Sequence, residues 1–133
     1  MLHQKTLAQL SAMLAAGEVS SVELTQSCLA RMDAHQGLNA FITVSAEHAM
    51  AQAKAADASR AKGEAGPLAG IPLAQKDIFC TDGVLTTCGS RILSNFVSPY
   101  SATVVARCDS AGMVMPGKTN MDEFAMGSSN ETS

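Results

Sequence analysis

Along the first half of the chain apolar residues recur three and four positions apart, the spacing that gathers them on one face of a helix. Leu7, Leu10, Met13 and Leu14 form one such face, and Gly17 follows as a stop. Ser20-Ser21-Val22-Glu23 then reads as a capping box, Ser20 the N-cap and Glu23 its reciprocal partner, ahead of a stripe of Leu24, Cys28, Leu29 and Met32. Gly37 offers that second helix a left-handed end. A third helix is expected from just after Ser45 to Ala61, closed by Gly63. Its alanines favour helix intrinsically but bring little bulk for packing.

At Gly63-Glu64-Ala65-Gly66-Pro67 the helical periodicity stops and Gly and Pro take over. The main internal boundary is placed there: residues 1–66 as a helical N-terminal region, residues 67–133 as the start of an α/β core, together one incomplete domain. Leu68 to Phe79 reads as an extended apolar segment interrupted by Pro72. Ser101 to Ala111 reads as a helix with Val104, Val105 and Cys108 inward, and Met113-Val114-Met115 as a short strand. Strand, helix, strand in that order predicts a right-handed crossover and a mixed or parallel sheet, hence an α/β fold.

Composition narrows the function classes. With 133 residues, 47% of them hydrophobic, the chain suits one domain with a real core. The net charge is −3 and the nine basic residues are scattered singly, which argues against direct nucleic-acid binding. Cys28, Cys80, Cys88 and Cys108 lie far apart, without a Cys-x-x-Cys or a His pair to complete a zinc site, so they read as free thiols in a reducing compartment. No metal is expected. No signal-peptide core follows Met1 and no apolar run approaches the roughly eighteen residues of a membrane span, so the expectation is a soluble, cytoplasmic protein without membrane contact. His3, His35 and His48 lack ligand spacing and read as surface residues, and the eight methionines as core filler.

Gly112-Met113-Val114-Met115-Pro116-Gly117-Lys118-Thr119 satisfies the pattern G-x-x-x-x-G-K-[ST] of nucleotide-binding phosphate loops. Such a loop follows a strand and opens a helix, so that backbone N–H groups face the phosphates. Here the first glycine follows a helix, and the insert is three bulky apolar residues plus Pro116, which has no N–H. The stretch reads instead as a buried strand with a tight turn at Gly117.

Gly70-Ile71-Pro72-Leu73-Ala74-Gln75-Lys76-Asp77 resembles the lysine-bearing segment of the amidase-signature family, roughly G-[IV]-P-x-x-x-K-D. Thr86-Thr87-Cys88-Gly89-Ser90, Ser101-Ala102-Thr103-Val104-Val105 and Gly117-Lys118-Thr119-Asn120-Met121-Asp122-Glu123-Phe124-Ala125-Met126-Gly127-Ser128 follow in that family's order and spacing. The last segment resembles the glutamine-hydrolysing branch that serves tRNA-dependent amidotransferases more than generic amidases. The likeness is strong from Pro67 onward and weaker in the helical part.

The resemblance implies an amidase-signature mixed-sheet core and a serine hydrolase with three catalytic groups: a Ser nucleophile, a second Ser held by a cis peptide bond, and Lys76 as ultimate base. Met126, Gly127 and Ser128 match a segment that lines the substrate pocket. Ser128 and Ser129 are not expected to be the nucleophile, since no G-x-S-x-G elbow surrounds them. Both catalytic serines are expected beyond Ser133, so the chain alone is expected to be inactive. The implied activity is hydrolysis of glutamine to ammonia, delivered to a B subunit that amidates Glu-tRNA(Gln) or Asp-tRNA(Asn). ATP and Mg are used by that B subunit, which also makes most tRNA contacts, and a small C subunit clasps the complex. No cofactor is implied here. A stand-alone amidase of the same family, and a non-catalytic interaction fragment with open sheet edges, are the rival readings.

Lysine is a base only when neutral, and burial favours that form. Ile71, Leu73, Ala74, Ile78 and Phe79 are the apolar wall expected around Lys76. Asp77 would oppose this by favouring the ammonium, unless the segment is extended and the two side chains point to opposite faces. Asp122 and Glu123, being adjacent, point apart and read as capping or surface residues rather than an acid–base pair. From the phosphate-loop reading one outcome follows. Calorimetric titration with Mg-ATP is expected to show no binding at millimolar nucleotide, and a micromolar affinity that depends on Lys118 would overturn it.

Overall fold

Helix starts are written locally and then reinforced from a distance. The computed structural model describes all residues, Met1–Ser133. Helix α1 (Leu7–Ala15) opens on a capping box of Thr6 and Gln9, and α2 (Ser21–Ala34) on the expected box of Ser20 and Glu23. Asp57, on α3 (Ala46–Ala61), adds a second device at the start of α2: its carboxylate accepts from the N–H groups of Ser21 at 2.7 Å and Val22 at 3.1 Å. A carboxylate there meets both unsatisfied donors and the positive end of the helix dipole. The left-handed residue after α2 is Asn39, φ 51°, rather than Gly37, which lies in a short 3-10 turn at Gln36–Leu38.

Three strands form one sheet in the order β1-β3-β2, where β1 is Phe41–Val44, β2 Pro72–Lys76 and β3 Val114–Thr119. β2 and β3 are parallel and are joined through α4 (Thr103–Ser110), while β1 pairs antiparallel with the other side of β3. The mixed α/β architecture is therefore the expected one. Its details differ in four places. β1 lies in the stretch whose periodicity reads as helical. β2 begins at Pro72 instead of running through it, because a proline without an N–H suits the first position of a strand. β3 passes through Gly117 to Thr119, so no turn forms at Gly117. On α4, Val105 is buried but Val104 is 48% exposed.

The core has two parts. Leu14, Val19, Leu24, Ile71 and Met113 pack α1 and α2 against the starts of β2 and β3, and Val114 packs against Ala49 and Ala53 of α3. Register shifts then decide which side chains cross the sheet. Pro72 pairs with Val114 but Ala74 with Gly117, so β3 carries an extra residue between them. Such a bulge reverses the alternation of faces. Val114 and Gly117 thereby share the helix side, where Gly117 lies against Met32 of α2, and Lys118 is sent to the opposite side.

Gly117 is required by this approach: a Cβ there would lie 2.6 Å from the backbone oxygen of Thr43 and 3.0 Å from Met32 and Phe41. Gly117→Ala is expected to destabilise the chain by about 1–3 kcal/mol in urea unfolding, the usual range for overpacking. Gly66→Ala, where nothing lies within 4 Å, is expected to leave stability unchanged or slightly raised. Equal midpoints for the two variants would contradict the assigned approach of β1 to β3.

Candidate active site

Parallel strands ending side by side leave their carboxyl ends facing the same open space, the usual place for a ligand in α/β sheets. β2 ends at Lys76 and β3 at Thr119, and the chain leaving β3 folds back over that edge. Lys76 there borders an open cleft of about 540 Å³, with Asn120, Asp122, Gly127, Ser128 and Asn130 among its walls. Three residues singled out by sequence, Lys76, Gly127 and Ser128, are thus brought together. Met126 is not: it is 86% exposed and stands outside the cleft.

Lys76 is exposed, contrary to the expectation of an apolar wall around it. The reason is strand alternation, which turns Gln75 and Asp77 inward, at 6% and 0% exposure, and Lys76 outward. Asp77 does point away from its neighbour, as an extended segment requires, and it has a different cation. Lys118, fully buried, places its Nζ 3.3 Å from Asp77 Oδ1. The same ammonium donates to the carbonyl oxygen of Phe79 at 2.8 Å and to Thr86 Oγ1 at 3.1 Å. Burial pulls the Lys118 amine below the ordinary lysine range, and the Asp77 carboxylate pulls it back. Asp77 Oδ2 in turn accepts from Thr87 N at 3.0 Å and Thr87 Oγ1 at 2.5 Å.

The far wall of the cleft is organised by a second carboxylate. Asp122 accepts from the backbone N–H of Asn130 at 2.9 Å and of Thr132 at 3.2 Å, and from the Thr132 hydroxyl at 3.2 Å. These bonds, the one from Asn130 foremost, hold its carboxyl below the usual carboxylate range. Gly127 lies so close to that carboxyl that any Cβ would collide with it. Glu123 accepts from the Ser90 hydroxyl at 2.5 Å. Asp122 is buried and Glu123 partly so, and Asp122 stands at the cap position of the 3-10 turn Glu123–Ala125 without a side-chain bond to it. They are loop anchors.

Two pieces of this site escape sequence reasoning. The pairing of Asp77 with Lys118 joins positions 41 residues apart, and Lys118 draws notice in the sequence only through a phosphate-loop pattern. Thr86 and Thr87 matter because they satisfy that pair. The signal available was a lysine inside an apolar strand, which cannot stay buried without a counter-charge. The four cysteines are unpaired and half-buried. Burial first and the Asp77 carboxylate second push the Cys88 thiol up, away from the thiolate a nucleophile needs. No three metal-ligating side chains gather anywhere in the chain, and no helix is long and apolar enough to cross a membrane.

Comparison with known proteins extends these observations. The family model described as Amidase matches residues 23–133. The glutamyl-tRNA(Gln) amidotransferase A subunit of Thioalkalivibrio sulfidiphilus is 68% identical over 99% of this chain, which covers 28% of that relative. The protein of the same name from Methylococcus capsulatus is 66% identical, again over 99% of this chain and 27% of its own length. Among solved structures, the peptide amidase of Stenotrophomonas maltophilia superimposes with a TM-score of 0.86 at 36% identity, covering 91% of this chain and 26% of that one. An inhibitor-bound chain from a vestigial protein complex, described for the origins of an s-triazine catabolic enzyme, gives 0.91 at 38% identity over 97% of this chain and 29% of its own. The chain therefore spans about 28% of the length of the curated relatives it matches. A match over most of its residues shows that the chain belongs to the amidase family.

Proposed function

We propose that this chain is the N-terminal part of the glutamine-hydrolysing subunit of a tRNA-dependent amidotransferase, and that Lys76 is the terminal base of its acyl-transfer machinery. One observation carries the proposal. The cleft bordered by Lys76 is also bordered by Gly127 and Ser128, in a chain 68% identical to a glutamyl-tRNA(Gln) amidotransferase A subunit over nearly its whole length. In the complete protein a Ser nucleophile and a bridging Ser, both supplied by chain beyond Ser133, complete the cleft and cover Lys76. That cover supplies the desolvation a neutral lysine needs. Gly127 and Ser128 bound the glutamine pocket, and Met126, exposed here, packs against the added chain.

The ammonia released passes to a B subunit that uses ATP and Mg to activate and amidate Glu-tRNA(Gln) or Asp-tRNA(Asn), with a C subunit joining the two. The site is cytoplasmic, in keeping with four unpaired cysteines. A stand-alone amidase is the second reading, favoured by the likeness to the peptide amidase. Co-purification with B and C subunits separates the two.

Two outcomes are expected. The 133-residue chain should release ammonia from glutamine no faster than buffer, because acyl transfer needs a nucleophile and an oxyanion hole. Turnover that disappears on Ser128→Ala would show the nucleophile to be misplaced. In the full-length protein, assembled with its partners, Lys76→Ala should lower glutaminase turnover by at least the roughly 10²–10⁴ typical of general-base loss. Lys76→Arg keeps the charge but cannot give up its proton, and should be nearly as damaging. Near-normal turnover in the Arg variant, with folding verified by circular dichroism, would remove the base assignment.

A further inference from the structure

The turn that follows Lys76 is held from behind. The Lys76 carbonyl accepts from Phe79 N at 3.2 Å, closing the turn, and the Phe79 carbonyl at its far end accepts from Lys118 Nζ at 2.8 Å and Thr81 Oγ1 at 3.1 Å. Within the turn Asp77 is fixed through every polar atom it has. Its N–H donates to Thr119 O at 3.2 Å, its carbonyl accepts from Cys88 N at 3.3 Å, and its carboxylate is shared between Thr87 and Lys118. Asp77 Oδ1 has no hydrogen bond at all, so the Lys118 charge is its sole partner.

Charge makes this arrangement more than a brace. A carboxylate one residue from a lysine that must release a proton works against that release, even from the opposite face of a strand, because fields inside a protein are weakly screened. Lys118 cancels that field with an equal and opposite charge that solvent cannot reach. We propose that Lys118 and Asp77 form a positioning pair for Lys76: together they clamp the Lys76–Phe79 turn, and by neutralising each other they keep Asp77 from acting as a counter-ion to its neighbour Lys76. The proposal rests on reading Lys76 as the base. The other ionisable groups near the pair are Cys80 and Cys88, and Asp122 lines the same cleft as Lys76; its carboxylate keeps its charge while it accepts from Asn130 and Thr132, and it is unchanged in every variant compared below. Glu123 is occupied by Ser90.

The test is the pH profile of glutaminase turnover in the full-length protein, assembled with its partners, for wild type, Lys118→Met, Asp77→Asn, the double variant and Lys118→Arg. The acid limb, set by the proton on the Lys76 amine, should move in opposite directions in the two single variants. Lys118→Met leaves an uncompensated carboxylate and should move it to higher pH by about half to one pH unit; Asp77→Asn leaves an uncompensated ammonium and should move it down by a similar amount. The double variant should return the limb to its wild-type position and recover turnover relative to either single. Lower turnover with the limb unmoved, or moved the same way in both singles, would reduce the pair to a structural brace and overturn the proposal. If a single variant does not assemble, the double variant and Lys118→Arg decide, since both preserve neutrality: a displaced limb in either overturns it. Lys76→Ala, run alongside, separates the two ideas. A dead Lys76→Ala with no divergence removes the pair's role alone, whereas an active one removes the base reading as well.

Discussion

Two opposite charges closed off from water set the terms for the rest of this fold. Taking an ammonium and a carboxylate out of solvent costs several kcal/mol for each ion, and their attraction offsets this only when the remaining polar atoms also find partners. The stretch from Phe79 to Thr87 contributes a backbone carbonyl, two hydroxyls and a backbone N–H to the pair, which leaves Asp77 Oδ1 to the Lys118 charge alone. A loop without regular secondary structure is thereby given one conformation, and it is the loop that follows Lys76.

Delivering Lys118 to that pocket is the work of β3. The strand lies between β1 and β2, and α3 packs along it through small alanines. The extra residue between Val114 and Gly117 turns Gly117 toward the helices, where only a hydrogen fits against the Thr43 carbonyl, and turns Lys118 away from them. A register without that bulge would turn the lysine toward Met32 and Phe41 and away from Asp77. The packing of the helical half and the charge balance of the site are therefore one problem, solved at the same two residues.

The cleft at the ends of β2 and β3 draws on both solutions. One wall is the end of β2, held by the pair; the other is the 122–132 segment, held by Asp122. The two are stitched through the 86–90 segment, since Thr87 binds Asp77, Phe124 N donates to Cys88 O at 2.9 Å, and Ser90 binds Glu123. Three of the four stretches that resemble amidase-signature segments are thus in mutual contact, and the fourth, Ser101–Val105, meets the loop after Lys76, where Ala102 N donates to Cys80 O at 2.8 Å and Asp82 N to Ser101 Oγ at 3.0 Å. These contacts hold the end of β2, and with it Lys76, in place.

Local chemistry was sufficient to locate the helices: capping boxes, apolar periodicity and glycine stops act within a turn or two of the residues that carry them. The α/β order and the family resemblance were equally legible, because short-range patterns and residue identities are written directly in the chain. What the sequence could not decide lay in pairings between distant positions. A four-residue strand such as β1 is stabilised only by the strand it meets, so Phe41–Val44 has too little pattern of its own to be read. Whether Lys76 or Lys118 is the buried lysine depended on strand alternation and on a bulge in a neighbouring strand, both of which become defined only when the sheet assembles. Asp122 and Glu123 look like surface acids for the same reason: their donors, Asn130, Thr132 and Ser90, are brought to them by the fold, and a carboxylate's role is set by what it touches.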